Sequence, residues 1–257
     1  FVIDKISTES DEMTALLAAI KETCAPDSRV AIYELEAKKA DSQWIIKGKV
    51  DKAALKTNVL QELKKANVAV VDSISVLEFT KEKPWGLVKL SIASLRTAGK
   101  HAAEMATQAI MGTPVKILEH AGDWARVQTP DEYIAYVPKN SLYQMTQAQL
   151  DAWRQSTRYV VTVYQTQLVD APKNGMTVSD LVLGNILEYK GKKGKFIQLA
   201  TPDGREGYVH QDEVKELSSW AQQTFDAELI KKVAFRMMGS GYLWGGTSTK
   251  LTDCSGL

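Results

Sequence analysis

The residues best suited to chemistry lie in the stretch GYLWGGTSTKLTDCSGL, positions 241–257. Cys254 stands between Asp253 and Ser255, with Gly256 next, and follows a glycine-rich aromatic loop. Thiolate, not thiol, is the nucleophilic form of cysteine. A helix opening at Cys254, with Thr252 or Asp253 as its N-cap, would favour the thiolate through its backbone N–H groups and dipole. The same N–H groups would hold an oxyanion during acyl transfer. A buried, inert cysteine at a helix start has the same local pattern, and these residues alone leave both readings open. A redox-sensing thiol is a third use of the same sulfur.

Little else competes for a catalytic role. The second cysteine, Cys24, follows MTALLAAIKET, an apolar stripe at helical spacing, where a small packed thiol is expected. Nothing suggests a disulfide framework linking the two. His101, His120 and His210 all precede Cys254 and read as surface residues. No metal cluster or phosphate-cradling loop is evident, so no cofactor is expected. Lys and Arg number 32 against 31 Asp and Glu, for a net charge of +1, which gives no reason to expect nucleic acid or an anionic membrane as partner. No apolar run approaches the roughly 20 residues that span a bilayer. The oligomeric state has no signature in the sequence.

The elements that must position Cys254 fall into four segments. Residues 1–80 read as a small α+β unit, with helices over DEMTALLAAIKETC and DKAALKTNVLQELKKA and alternating strands over RVAIYELEA, QWIIKGKV and VAVVDSISVLEF. The charged, Pro-containing TKEKPWG (80–86) predicts a boundary. An internal repeat follows at a constant offset of 72. It sets Gly112 on Gly184, Gly122 on Gly194, Trp124 on Phe196, TPD on TPD, and Tyr136-Val137 on Tyr208-Val209. Short alternating strands broken by turns predict a small antiparallel barrel made twice, over 86–145 and 158–217. Shared positions such as Tyr136 and Tyr208 are fold-bearing, whereas Tyr133 faces Arg205 and is peculiar to the first copy. A final segment, 222–257, opens with a helix predicted over Gln222–Met238. Its apolar stripe is Phe225, Leu229, Val233 and Met237, and Gly239 stops it. The fold class is thus multidomain α+β.

The turn, aromatic and GYV pattern of the repeat resembles bacterial SH3-like domains of cell-wall proteins. The terminal pattern, Gly-x-Tyr-x-Trp-Gly-Gly and then Asp-Cys-Ser-Gly-Leu with Tyr242 twelve residues before Cys254, resembles the signature of NlpC-type cysteine peptidases. Two such barrels in front resemble the subgroup of γ-D-glutamyl-L-diamino acid endopeptidases. The resemblance implies a papain-like catalytic domain that cuts stem peptides after D-Glu, and a requirement for a free L-Ala amine. It gives Cys254 the nucleophile's place and Tyr242 that of the active-site tyrosine, and it puts Asp253 and Ser255 against substrate. An anion beside Cys254 opposes thiolate formation, which makes sense if the Asp253 carboxylate faces a cation such as a substrate ammonium. Glu104, in the segment HAAEMATQAIMG that resembles the subgroup's substrate-facing loop, would close around that amine with Tyr133.

A cysteine peptidase also needs a base, usually His, with an orienting partner. In the family that His follows the cysteine by some tens of residues, so the 257-residue chain is expected to lack it and to be inactive alone. The alternative reading is a module whose barrels dock on wall peptides. The substrate class and the non-Met start imply a processed or trimmed chain in the periplasm or cell envelope.

Overall fold

The computed structural model describes residues 2–40, 43–77, 82–224 and 226–257, with side chains from residue 9 onward. Parts of two predicted segments, residues 78–79 of the last N-terminal strand and 80–81 of the boundary, lie outside the described residues, as does Phe225. The chain divides into two compact units, residues 1–79 and 80–257.

The first unit runs α1 (Val2–Cys24), β1 (Tyr33–Ala40), β2 (Gln43–Val50), α2 (Ala53–Lys65) and β3 (Val70–Val76). β1 pairs antiparallel with β2, and β2 pairs parallel with β3, so α2 is the crossover of a βαβ unit. Leu55, Val59 and Leu63 of α2 meet Met13, Leu17 and Ile20 of α1 and Ile46, Val50 and Ile74 of the sheet in one core. The Asp51 carboxylate does not cap α2; one oxygen accepts from Ile32 N at 3.0 Å instead. Cys24 is half-buried against this core, and burial first, then Glu62, raises its pKa.

The second unit carries two seven-stranded sheets. The first module comprises β4 (Trp85–Val88), β5 (Ile92–Arg96), β6 (Met105–Ile110), β7 (Pro114–Ala121), β8 (Trp124–Gln128), β9 (Ile134–Pro138) and β10 (Leu142–Met145). Helix α3 (Gln147–Gln155) follows, opened by a capping box in which Thr146 Oγ1 accepts from Gln149 N and Gln149 Oε1 accepts from Thr146 N. The second module comprises β11 (Arg158–Val161), β12 (Gln165–Val169), β13 (Thr177–Val182), β14 (Ile186–Lys193), β15 (Phe196–Ala200), β16 (Glu206–His210) and β17 (Val214–Glu216). Helices α4 (Leu217–Ala221) and α5 (Ala227–Phe235) lead to the terminal segment.

The offset of 72 carries through element by element. β6 to β9 map residue for residue onto β13 to β16, and the bulge after Ile117 recurs after Tyr189. Sheet order is β10-β4-β7-β8-β9-β5-β6 in one module and the corresponding β17-β11-β14-β15-β16-β12-β13 in the other. Each has its own core, Leu95, Ile117, Val127 and Val137 in the first, Leu168, Leu181, Leu199 and Val209 in the second.

The modules are joined through equivalent turns. Met111, fully buried, belongs to the second module's core, and its carbonyl accepts from Ile186 N at 3.0 Å. Gly112 beside it has φ +86, and an added Cβ would stand 2.7 Å from Ile186 O. Polar bonds complete the junction. Asn185 Nδ2 donates to Ser91 O at 3.0 Å, and Arg205 NH2 donates to Lys89 O at 3.0 Å.

The helix predicted over 222–238 is shorter in the structure. The Asp226 side chain accepts from Glu228 N and Leu229 N, so a fresh helix starts there rather than continuing from Gln222. It gives way to turns before Gly239, whose φ of +84 suits the predicted stop.

Candidate active site

Cys254 is exposed, at the head of a single turn over 254–256 rather than of a helix. Asp253 organises that turn. Its Oδ1 accepts from Gly256 N at 2.7 Å, Ser255 N at 3.0 Å and Ser255 Oγ at 3.0 Å, while Oδ2 accepts from Gly245 N at 2.9 Å. Asp253 N in turn donates to Gly246 O at 3.0 Å, closing the loop 245–253 on itself. Gly256 is required by close approach, because a Cβ there would stand 2.0 Å from Gly246 O.

This arrangement bears on two expectations. Four donors bond the Asp253 carboxylate, three on Oδ1 and one on Oδ2, so it orders the loop and keeps an open acceptor position on Oδ2. Bonds from Gly256 and Gly245 hold its pKa below the ordinary carboxylate value. The N–H groups of Ser255 and Gly256 are spent on that carboxylate and are not open to an oxyanion. The Cys254 N–H makes no hydrogen bond among the described residues, and it is the donor left beside the sulfur.

Tyr242 is brought to the same place. It forms a parallel bridge with Thr252, and Leu243 N donates to Thr252 O at 3.1 Å. The Tyr242 phenol is pushed above its ordinary pKa, first by partial desolvation and then by the charges of Cys254 and Asp253. The three side chains therefore share one local field.

The terminal loop rests on the first module's β6. A Cβ on Gly245 would meet Met105 O at 3.0 Å; Thr247 N donates to Gln108 Oε1 at 3.1 Å and Thr247 Oγ1 to Gln108 O at 3.2 Å. Glu104, exposed, immediately precedes this strand, and its carbonyl accepts from Thr97 N. Tyr133, half-buried, stands in the turn before β9, where its carbonyl accepts from Thr129 N at 2.9 Å. Glu104 thus adjoins the strand on which the loop docks, while Tyr133 stands before β9, which β5 separates from β6.

The histidines are engaged elsewhere. His101 packs edge-on against Trp124, His210 against Phe196, and burial followed by Lys139 lowers the His120 pKa. Among the described residues no cluster of His, Cys, Asp and Glu would hold a metal, and no helix is long and apolar enough to cross a membrane. Sequence reasoning missed the residues that hold the loop, Gln108, Asp180 and Lys250. One signal was available, since Gln108 and Asp180 coincide at the offset of 72.

Residues 95–142 match the family described as the bacterial dipeptidyl-peptidase SH3 domain. Dipeptidyl-peptidase 6 of Lysinibacillus sphaericus is 29% identical over 172 residues, covering 60% of this chain and 60% of that protein. Gamma-D-glutamyl-L-lysine dipeptidyl-peptidase of Bacillus subtilis is 27% identical over 151 residues, covering 58% of this chain and 50% of that protein. Among solved structures, an NlpC/P60 family protein from Bacillus cereus is similar with a TM-score of 0.57 and 17% identity, over 67% of this chain and 69% of that one. That last likeness is one of fold. The chain thus spans 50 to 60% of the curated relatives it matches.

Proposed function

We propose that this chain carries the nucleophile of a cysteine peptidase that hydrolyses γ-D-Glu–diamino acid bonds in cell-wall stem peptides bearing a free L-Ala amine. The observation that carries the reading is the exposed Cys254 on a turn ordered by Asp253, beside Tyr242 and seated on β6 next to Glu104. The relatives' names, one of which specifies a γ-D-glutamyl-L-lysine bond, support the substrate class.

In this mechanism the Cys254 sulfur attacks the γ-carbonyl carbon of D-Glu, forming a thioester as the amide C–N bond breaks. A base takes the thiol proton and, in its protonated form, gives it to the departing diamino acid amine; water then cleaves the thioester, releasing the dipeptide acid and restoring the thiol. The Cys254 N–H and the Tyr242 hydroxyl border the oxyanion. Asp253 and Ser255 face the substrate as well as shaping the turn, and Asp253, Glu104 and Tyr133 close around the substrate ammonium. The second module, sharing the first one's topology, is a second SH3-like domain, and the protein acts in the periplasm or cell envelope.

None of the three histidines lies in the described contacts of Cys254, so these 257 residues by themselves are expected to hydrolyse nothing. In the full-length protein, Cys254→Ala is expected to lower hydrolysis of L-Ala-γ-D-Glu-diaminopimelate by at least about 10³-fold. N-acetylation of that peptide should prevent cleavage by the wild type. Unchanged turnover in Cys254→Ala would end this reading, and equal cleavage of the acetylated peptide would remove its free-amine part.

A further inference from the structure

The loop before Cys254 is gripped from two sides, by the same position of the repeat. Gln108 is the fourth residue of six in β6, and Asp180, 72 residues later, is the fourth of six in β13. Gln108 holds Thr247 through its side chain and its carbonyl. Asp180 Oδ2 accepts from Lys250 Nζ at 2.7 Å. β6 and β13 are each the last strand in their sheet order, and an edge strand has backbone groups free to pair with a covering segment. Between the two holds, Ser248 and Thr249 are buried, and Thr249 Oγ1 donates to Tyr164 O at 2.7 Å.

We propose that the duplicated edge strands act as two jaws that fix the Cys254 turn, with Gln108 and Asp180 as positioning residues. The proposal rests on Cys254 being the nucleophile described above. A loop held at one point swings about it, while a loop held at two points on bodies locked together does not. The loop is closed by the bonds of Asp253 to Gly245 and Gly246, so holds at Thr247 and Lys250 reach the sulfur through a short, ordered path. The two jaws are locked to each other at the same carboxylate. Ser91 of the first module donates to Asp180 Oδ2 at 2.6 Å, and Gln165 of the second donates to Oδ1 at 2.9 Å. Asp180 therefore ties both modules and the loop at one point, which accounts for a carboxylate there where the first module has an amide.

The test reads the loop directly in the 257-residue chain and then reads turnover in the full-length protein. Lys250→Met cuts the hold from the exposed side and leaves both sheets intact; Asp180→Ala cuts it from the other. Each is expected to speed amide exchange of Gly246–Asp253 about tenfold and to change the rate of Cys254 alkylation by several-fold, at unchanged melting temperature for Lys250→Met. In the full-length protein kcat is expected to fall about tenfold with KM within about twofold, as a misplaced nucleophile requires. Asp180→Asn, which keeps an acceptor oxygen for Lys250 and Ser91, should hold exchange and kcat within about threefold of wild type. Exchange and alkylation unmoved in Lys250→Met would overturn the clamp, as would loosened exchange with kcat unchanged in a wild type that hydrolyses substrate. If the full-length wild type hydrolyses nothing while the exchange results hold, the clamp stands and the peptidase reading falls.

Discussion

The two β-modules are one design used for different ends. At the position of Glu104, which immediately precedes β6, the second module has Met176, and at that of Tyr133 it has Arg205. Arg205 is a brace: its guanidinium reaches Asp203, Val178 O at 3.2 Å and Lys89 O at 3.0 Å, the last across the junction. Lys89 also pairs with Asp203 at 3.7 Å. On the proposed reading the first module presents side chains to the site, while Arg205 of the second braces the junction. At Gln108 and Asp180 the repeat position is kept and only the side-chain chemistry differs.

That division can be broken at its joint. Gly112→Ala puts a Cβ 2.7 Å from Ile186 O at a left-handed φ, whereas Gly122, at φ +57, has nothing within 4 Å of the added atom. Gly112→Ala should cost about 3 kcal/mol in chemical denaturation and Gly122→Ala about 1, since only the first adds a clash to backbone strain. Equal losses would mean that the modules are not bound through this turn. Arg205→Tyr, which installs the first module's residue in the second, should cost about 2 kcal/mol by the same measurement through the loss of two carbonyl bonds and an ion pair.

The converse exchange tests the other half. Glu104→Met should raise KM for a free-amine stem peptide about tenfold while sparing kcat, and Met176→Glu should change neither. A matched effect from both would erase the distinction between the modules.

The smallest effect is expected from acid. Burial pushes the Asp180 carboxyl up, but bonds from Lys250, Ser91 and Gln165 outweigh it and leave the pKa below its ordinary value. A depressed carboxyl contributes stability that is present above its unfolded pKa, about 3.9, and lost as pH falls through the folded value. Amide exchange of the loop, corrected for its intrinsic pH dependence, should therefore hold level from pH 7 to about 4 and quicken below. Loosening that begins near pH 6 would contradict this.

The repeat was legible because strand periodicity and turn residues are local and occur twice in register, so a gapless offset of 72 reached every strand from β6 to β9. Cys254, Tyr242 and Asp253 were legible as a short pattern, and the structure gathers them. The bonds Asp253 makes within the loop were not, because the partners of a carboxylate depend on how the loop closes; one of them reaches back to Gly245. Helix α5 was overextended for a local reason, since apolar spacing continues through 222–238 but the Asp226 cap competes for the N–H groups of Glu228 and Leu229. Lys250 read as one more surface lysine, because its partner lies 70 residues away.

The most direct test is to trap the acyl intermediate. The full-length protein, mixed with L-Ala-γ-D-Glu-diaminopimelate and quenched in acid, should carry the L-Ala-γ-D-Glu acyl group on the peptide containing Cys254, read by mass spectrometry, and none with the N-acetylated substrate. Hydrolysis that proceeds with no adduct on Cys254, and equally well in Cys254→Ala, would contradict the account.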